Sequence, residues 1–210
     1  MIKVLIADDH AVVRRGLRQI LSETADILVG GEASTVHEVR DLTREQRWDV
    51  IVLDINMPGG SGLELISELR KERPGPRVLV LTVFPEDQYA VRTLRAGASG
   101  FLSKESAPEK LIEAVRKIAS GGRYVSVELA ETLASLVAGE AVGSPHERLS
   151  DREFGVFKRL AEGRTVSQIA QELSLSVKTV STHRTRILKK MEMKTNAELT
   201  HYAVKASLIS

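Results

Sequence analysis

Short apolar runs rich in β-branched residues recur along the first half of the chain: IKVLIA (2–7), DILVGG (26–31), WDVIVLD (48–54), RVLVLTV (77–83) and SGFLSK (99–104). They are near-continuously apolar instead of alternating, the pattern of parallel strands covered on both faces. Between them, residues 10–23, 34–46, 61–72, 86–96 and 108–120 carry apolar side chains at helical spacing. Start signals agree with this, because Thr35-x-x-Glu38 and Ser61-x-x-Glu64 read as capping boxes and Pro108 falls in a first turn. Five successive βα units predict an α/β fold, a doubly wound five-stranded parallel sheet.

The second half changes character. After Gly121-Gly122 the pattern predicts a helix from Val127 to about Val137, then GEAVGSPHE, a small, polar, Pro-containing stretch that reads as a linker. From Leu149 onward it is purely helical, in four short segments introduced by Ser150-x-x-Glu153, Thr165-x-x-Gln168, Ser176 and Thr195-x-x-Glu198. The expected division is a sheet domain at 1–122, a linker with a helix at 123–147, and a small all-α four-helix domain at 148–210.

Composition narrows the classes. With 42% hydrophobic and 28% charged residues the chain should fold in water. No stretch approaches the about 18 apolar residues of a membrane span, and the N-terminus runs straight into a strand without a signal-peptide layout. A cytoplasmic protein with no membrane partner is expected. The absence of cysteine excludes disulfides, thiolate metal sites and cysteine nucleophiles. The formal charge of +2 hides an asymmetry, since residues 1–145 sum to −3 and residues 146–210 to +5. A basic C-terminal unit suits a polyanionic partner.

In an open parallel sheet, the loops at the carboxyl ends of the strands converge on one crevice. Asp8 and Asp9 end the first predicted strand, Asp54 the third and Thr82 the fourth, and Lys104 follows the fifth. Three carboxylates brought close repel one another, and a hard divalent cation relieves that. Mg²⁺ fits because it accepts a few carboxylate oxygens, keeps waters and leaves positions for phosphate oxygens. Such a pocket suits phosphoryl transfer: Asp54 attacks phosphorus while Mg²⁺ and Lys104 neutralise the equatorial oxygens. Thr82 can then donate its hydroxyl to the new phosphoryl group, drawing its loop inward and opening space for Phe101.

At these residues, residues 1 to about 122 resemble the flavodoxin-like receiver domains of two-component response regulators. The match rests on Asp8-Asp9, Asp54 within DINMPGGSG, Thr82, and Lys104 preceded three residues earlier by Phe101. The resemblance implies a sensor histidine kinase as phosphate donor, Asp9 as a principal Mg²⁺ ligand and Asp8 acting partly through water. Lys104 is followed by Glu105-Ser106-Ala107-Pro108 instead of directly by proline, a variant that looks like the NarL/FixJ branch. Phosphatases with an aspartate nucleophile are the alternative, but they need a second acid two residues on, where this chain has Asn56. Turnover is expected only as self-phosphorylation from a donor and slow autodephosphorylation, so the chain is not read as an enzyme. Pro58-Gly59-Gly60-Ser61-Gly62 lacks the ending of a phosphate-cradling loop and reads as a turn.

Residues 165–191 place a short helix, a tight LSLS turn and a longer helix in succession, a helix-turn-helix layout. On the longer helix, Val177, Val180, Ile187, Leu188 and Met191 gather on one side, and Lys178, Ser181, Thr182, Thr185, Arg186 and Lys189 on the other. The first side is expected to be core and the second to face the major groove of double-stranded DNA. From Leu149-Ser150-x-Arg152-Glu153 through Ile169-Ala170 to Thr179-Val180-x-x-His183 and Ile187-x-x-Lys190-Met191, the segment resembles LuxR-type DNA-binding domains. The resemblance makes Ser181, Thr182 and Thr185 base-reading positions, with Thr179 in the same motif. Arg184 falls toward the apolar side where relatives carry an aliphatic, and is expected to reach a phosphate or a dimer contact. His183 reads as a packed structural histidine. Leu199, Tyr202, Ala203 and Val204 on the last helix are candidate dimer contacts. The combined expectation is a transcription regulator that homodimerises when phosphorylated, with RNA polymerase a further candidate partner. A protein-binding output domain is the competing reading, and steep salt dependence of DNA binding separates the two.

Overall fold

The computed structural model describes residues 1–72, 75–82, 86–138, 144–173, 175–206 and 208–209. Residue 83 of the expected fourth strand, residues 139–143 of the expected linker and Ser174 of the expected turn lie outside these. The chain divides into two compact units, Met1–Ala134 and Ser135–Ser210.

In the first unit, β1 (Ile2–Ala7), β2 (Ile27–Ala33), β3 (Val50–Leu53), β4 (Arg77–Thr82) and β5 (Gly100–Ser103) form one sheet in the order β2-β1-β3-β4-β5, every pairing parallel. The strands alternate with α1 (Ala11–Ser22), α2 (Val36–Glu45), α3 (Gly62–Leu69), α4 (Glu86–Ala96) and α5 (Ala107–Ala119). Side chains on successive strand residues point to opposite faces. One face, with Val4, Ile6, Val50, Val52, Leu79, Leu81 and Leu102, buries against Leu17 and Leu21 of α1 and Leu111, Val115 and Ile118 of α5. α2, α3 and α4 are neighbours in turn and cover the other face.

Local chemistry sets several of these elements. Thr35 and Ser61 accept hydrogen bonds from the amides of Glu38 and Glu64, capping α2 and α3 as their spacing predicts. The β1–β2 register slips between Val4 and Leu5, where Gly30 drops out of the pairing. A Cβ on Gly30 would stand 2.9 Å from Lys3 Cε and 3.0 Å from the Trp48 indole, and one on Gly31 2.7 Å from the same indole.

The sheet unit does not stop at residue 122. Tyr124 donates its amide to Ser99 O (3.1 Å), and Phe101 donates its amide to Tyr124 O (2.9 Å), so the chain beyond α5 adds a parallel bridge to β5. α6 (Val127–Ala138) follows, with Leu129 buried.

The second unit contains a 3-10 turn (Pro145–Arg148), α7 (Asp151–Ala161), α8 (Val166–Glu172), α9 (Val177–Lys190) and α10 (Asn196–Lys205). Ser150, Thr165, Ser176 and Thr195 cap the four helices through their side-chain oxygens. The 3-10 turn falls inside the segment expected to be linker. It is anchored by His146, whose buried ring stacks near Phe154 and whose Nδ1 lies 2.7 Å from the Tyr202 hydroxyl. α7 packs against both α9 and α10, around Phe154, Phe157, Ile169, Val180, Ile187 and Leu199.

Candidate functional site

The backbone brings the acidic residues to one place. Asp54 donates its amide to Ala7 O (2.8 Å), Asp8 to Ala33 O (3.0 Å) and Lys104 to Thr82 O (2.8 Å), so the ends of β1, β3 and β4 and the β5 loop are tied together. Carboxylate oxygens of Asp8, Asp9 and Asp54 and a ring nitrogen of His10 all lie within 4.8 Å of one another. Asp8 and Asp54 are buried, whereas Asp9 and His10 are exposed.

Lys104 Nζ stands 2.6 Å from both Asp8 Oδ2 and Asp54 Oδ2. Burial works against its charge, but the hydrogen bond to Asp54 and the fields of Asp54 and Asp8 outweigh that and hold the ammonium above its ordinary range. The other Asp54 oxygen accepts the amide of Asn56 (3.0 Å), and Asp8 Oδ1 accepts that of His10 (2.8 Å). Arg14 ties the first loop down by donating to Asp8 O (2.6 Å) while its Nε bonds Glu32 (3.1 Å).

The residues present fit a divalent cation. Three carboxylates face one ammonium, so the pocket keeps a net charge of −2, and the buried Asp8 Oδ2 is ion-paired by Lys104 without the angle of a hydrogen bond. The three carboxylates of this set suit a hard ion such as Mg²⁺, with the His10 ring nitrogen beside them.

Thr82 is wholly buried at the end of β4, and the β3–β4 register sets Leu53 opposite Val80, which places Thr82 close to the level of Asp54. Phe101 pairs with Val80 across β4 and β5 and has no exposed surface. By strand alternation it shares the α2–α3–α4 face with Thr82, as a packed core side chain. His10 is the member that sequence reasoning missed: its Nδ1 lies 2.6 Å from Asp9 Oδ1 on the rim of the pocket. A titratable side chain at the position opening a helix, directly after an acidic pair, was the available signal.

In the helical unit, Lys178, Ser181, Thr182, Thr185, Arg186 and Lys189 of α9 are exposed, and Val180, Ile187 and Met191 are buried. Other expectations need correction. Val177, the first residue of α9, is 51% exposed instead of core. Arg184 is half-buried and donates Nε to Asn196 Oδ1 (2.7 Å), which holds it against the start of α10 and away from the exposed face. Thr179 is half-buried with its hydroxyl 2.7 Å from that of Ser176, in the cap of the helix. Leu199 and Ala203 have no exposed surface, since α10 turns them onto α7, and Tyr202 is half-buried on His146. Leu199 and Ala203 therefore serve the domain core, and Val204, 54% exposed, is a large apolar group that α10 shows outward.

A doubly wound sheet with an acid-and-lysine crevice at its carboxyl edge, joined to a helix-turn-helix unit, defines a phosphorylation-responsive DNA-binding regulator. Residues 4–116 match the response regulator receiver domain, and residues 147–203 match the LuxR family of bacterial regulatory proteins. The chain belongs to the two-component response regulators of the NarL/FixJ type. It is 36% identical over 209 residues to the response regulator UvrY of Escherichia coli K12, covering 99% of this chain and 96% of UvrY. It is 36% identical over 210 residues to the response regulator GacA of Pseudomonas aeruginosa, covering 100% of this chain and 98% of GacA. A solved structure of Salmonella typhimurium RcsB aligns with a TM-score of 0.75 at 26% identity, covering 97% of each chain. RcsB bound to a promoter in the presence of a phosphomimetic aligns at 0.61 and 27% identity, covering 96% of this chain and 97% of that one. No helix among the described residues is long and apolar enough to cross a membrane.

Proposed function

We propose that Asp54 takes a phosphoryl group from the phosphohistidine of a sensor histidine kinase. A carboxylate oxygen of Asp54 attacks phosphorus, the P–N bond breaks, and its electron pair leaves with the imidazole, which takes up a proton. The observation that carries this reading is the single ammonium of Lys104 clasped by Asp8 and Asp54 in a pocket that still lacks two positive charges. Asp8, Asp9 and Asp54 would hold Mg²⁺, which supplies neutralisation of the charge shared between carboxylate and phosphoryl oxygens. Lys104 meets the phosphoryl oxygens on Asp54, and the Thr82 hydroxyl turns toward them. Phe101, on the same sheet face one strand over, follows the β4 loop. Turnover stays limited to slow loss of the phosphate, because Asn56 cannot act as an acid or base two residues from Asp54.

Phosphorylation then shifts an existing equilibrium toward a homodimer whose two α9 helices enter the major groove of double-stranded DNA at half-sites about one helical turn apart. RcsB bound to a promoter in the presence of a phosphomimetic supports this order of events by analogy.

The test compares wild type with Asp54→Asn, each treated with acetyl phosphate and Mg²⁺. Wild type should gain one phosphate by intact mass, shift to twice its mass in solution and bind DNA at least tenfold more tightly. Equal behaviour of the two proteins rejects the mechanism.

A further inference from the structure

The exposed face of α9 has an uneven chemistry. Its cations, Lys178, Arg186 and Lys189, carry no ion pair among the described residues, whereas Arg148, Arg159, Arg164 and Lys190 of the same unit are paired with Glu192, Glu172 and Glu153. The neutral positions between those cations offer few donors. Thr182 donates its hydroxyl to Lys178 O (2.9 Å) and Thr185 donates its own to Ser181 O (3.1 Å). A hydroxyl proton spent on the preceding turn leaves methyl and lone pairs for a ligand. One turn before Ser181 stands Val177, half exposed at the first position of the helix.

We infer that Val177, with the methyl groups of Thr182 and Thr185, reads thymine 5-methyl groups in the major groove, so that the half-site is chosen by A·T pairs at these positions. The inference rests on the DNA-binding reading above and deepens it by naming what that face recognises. Apolar side chains discriminate in the major groove by contact with the thymine methyl, and the N-terminal turns of a recognition helix are those nearest the bases. The unpaired cations suit the phosphates on either side and give register without sequence. Half of the Val177 side chain faces solvent, and methyl contact is the recognition chemistry that half can supply.

The experiment uses the full chain, wild type and variants alike treated with acetyl phosphate and Mg²⁺. Duplexes are selected from a random library, and affinity is measured by fluorescence anisotropy on a selected duplex and on copies in which each thymine in turn is replaced by deoxyuridine. Losing one buried methyl should weaken wild-type binding by about fourfold at two or three positions per half-site. In Val177→Ala the penalty at one of those positions should vanish while the others persist, and in Thr182→Ser and Thr185→Ser others should vanish instead. Val177 is exposed, so the variant folds, which circular dichroism checks. Deoxyuridine copies binding wild type as well as thymine copies, or the same penalty in Val177→Ala as in wild type, overturns the inference while DNA binding stands. Failure to enrich any duplex, with Lys178→Ala and Lys189→Ala indistinguishable from wild type, overturns the DNA-binding reading as well.

Discussion

Lys104 decides the balance of the acid pocket. Its side chain is only 12% exposed, and replacing it with methionine leaves two buried carboxylates without their shared counter-charge. That should cost about 2–4 kcal/mol of stability at neutral pH. Because the folded state holds this ammonium above its ordinary value of 10.5, its contribution is fully present below pH 10.5 and is lost as pH rises through the folded value. Urea melts of wild type and Lys104→Met should therefore converge only in strong alkali, and added Mg²⁺ should stabilise the variant more than wild type. Parallel melts at all pH values, with equal gains from Mg²⁺, would show that the clasp contributes nothing. The acid residues were legible in the sequence because strand ends in a parallel sheet must converge. His10 was less so: its place after the acidic pair was a signal, but a strand-to-helix junction does not say which way an exposed ring turns.

At the scale of elements, helix starts were the most legible feature. The signatures at Thr35, Ser61, Ser150, Thr165 and Thr195 each became a side-chain cap, whereas Ser106-x-x-Glu109 opens α5 without one. Faces were less so, because a helical wheel cannot tell which turns of an apolar stripe meet a neighbour: Val177 stays half exposed, and Leu199 and Ala203 are wholly buried on α10, which packs against α7. Glu153 shows how one cap does more than its signature says. It closes the capping box with Ser150 and accepts from Lys190 (2.6 Å), locking the start of α7 to the end of α9. Burial alone would raise its pKa, but Lys190 and the Ser150 amide hold it below the ordinary 4.5. The stabilisation is therefore present above pH 4.5 and is lost as pH falls through the depressed value. Glu153→Gln should lower the melting stability of the helical unit by about 1–3 kcal/mol at pH 7, a gap that closes in acid. Thermal melts of the full chain followed at 222 nm check this.

For the whole molecule, the charge asymmetry visible in composition acquires an address in Lys178, Arg186 and Lys189, the exposed cations of α9 that have no ion pair among the described residues. Affinity for duplex DNA should fall steeply with salt, and Lys189→Ala should reduce the slope of log affinity against log salt by about 1 per subunit. An unchanged slope would remove Lys189 from the phosphate contacts. The boundary expected at residue 122 was drawn where glycines end the last amphipathic pattern, and no periodicity announces a single tyrosine pairing with a strand. A fragment ending at 122 should be about 2–4 kcal/mol less stable than one ending at 134, since it loses Tyr124 and Leu129. Urea denaturation of the two fragments measures the difference.

That tyrosine bears on solubility too. β5 is an outer strand of the sheet, and an outer strand with free amides and carbonyls is a template for pairing with another chain. Tyr124 occupies those groups at Ser99 and Phe101. Cutting it away would turn a sealed border into an adhesive one, so the shorter fragment should form sheet-extended oligomers at concentrations where the longer one stays monomeric.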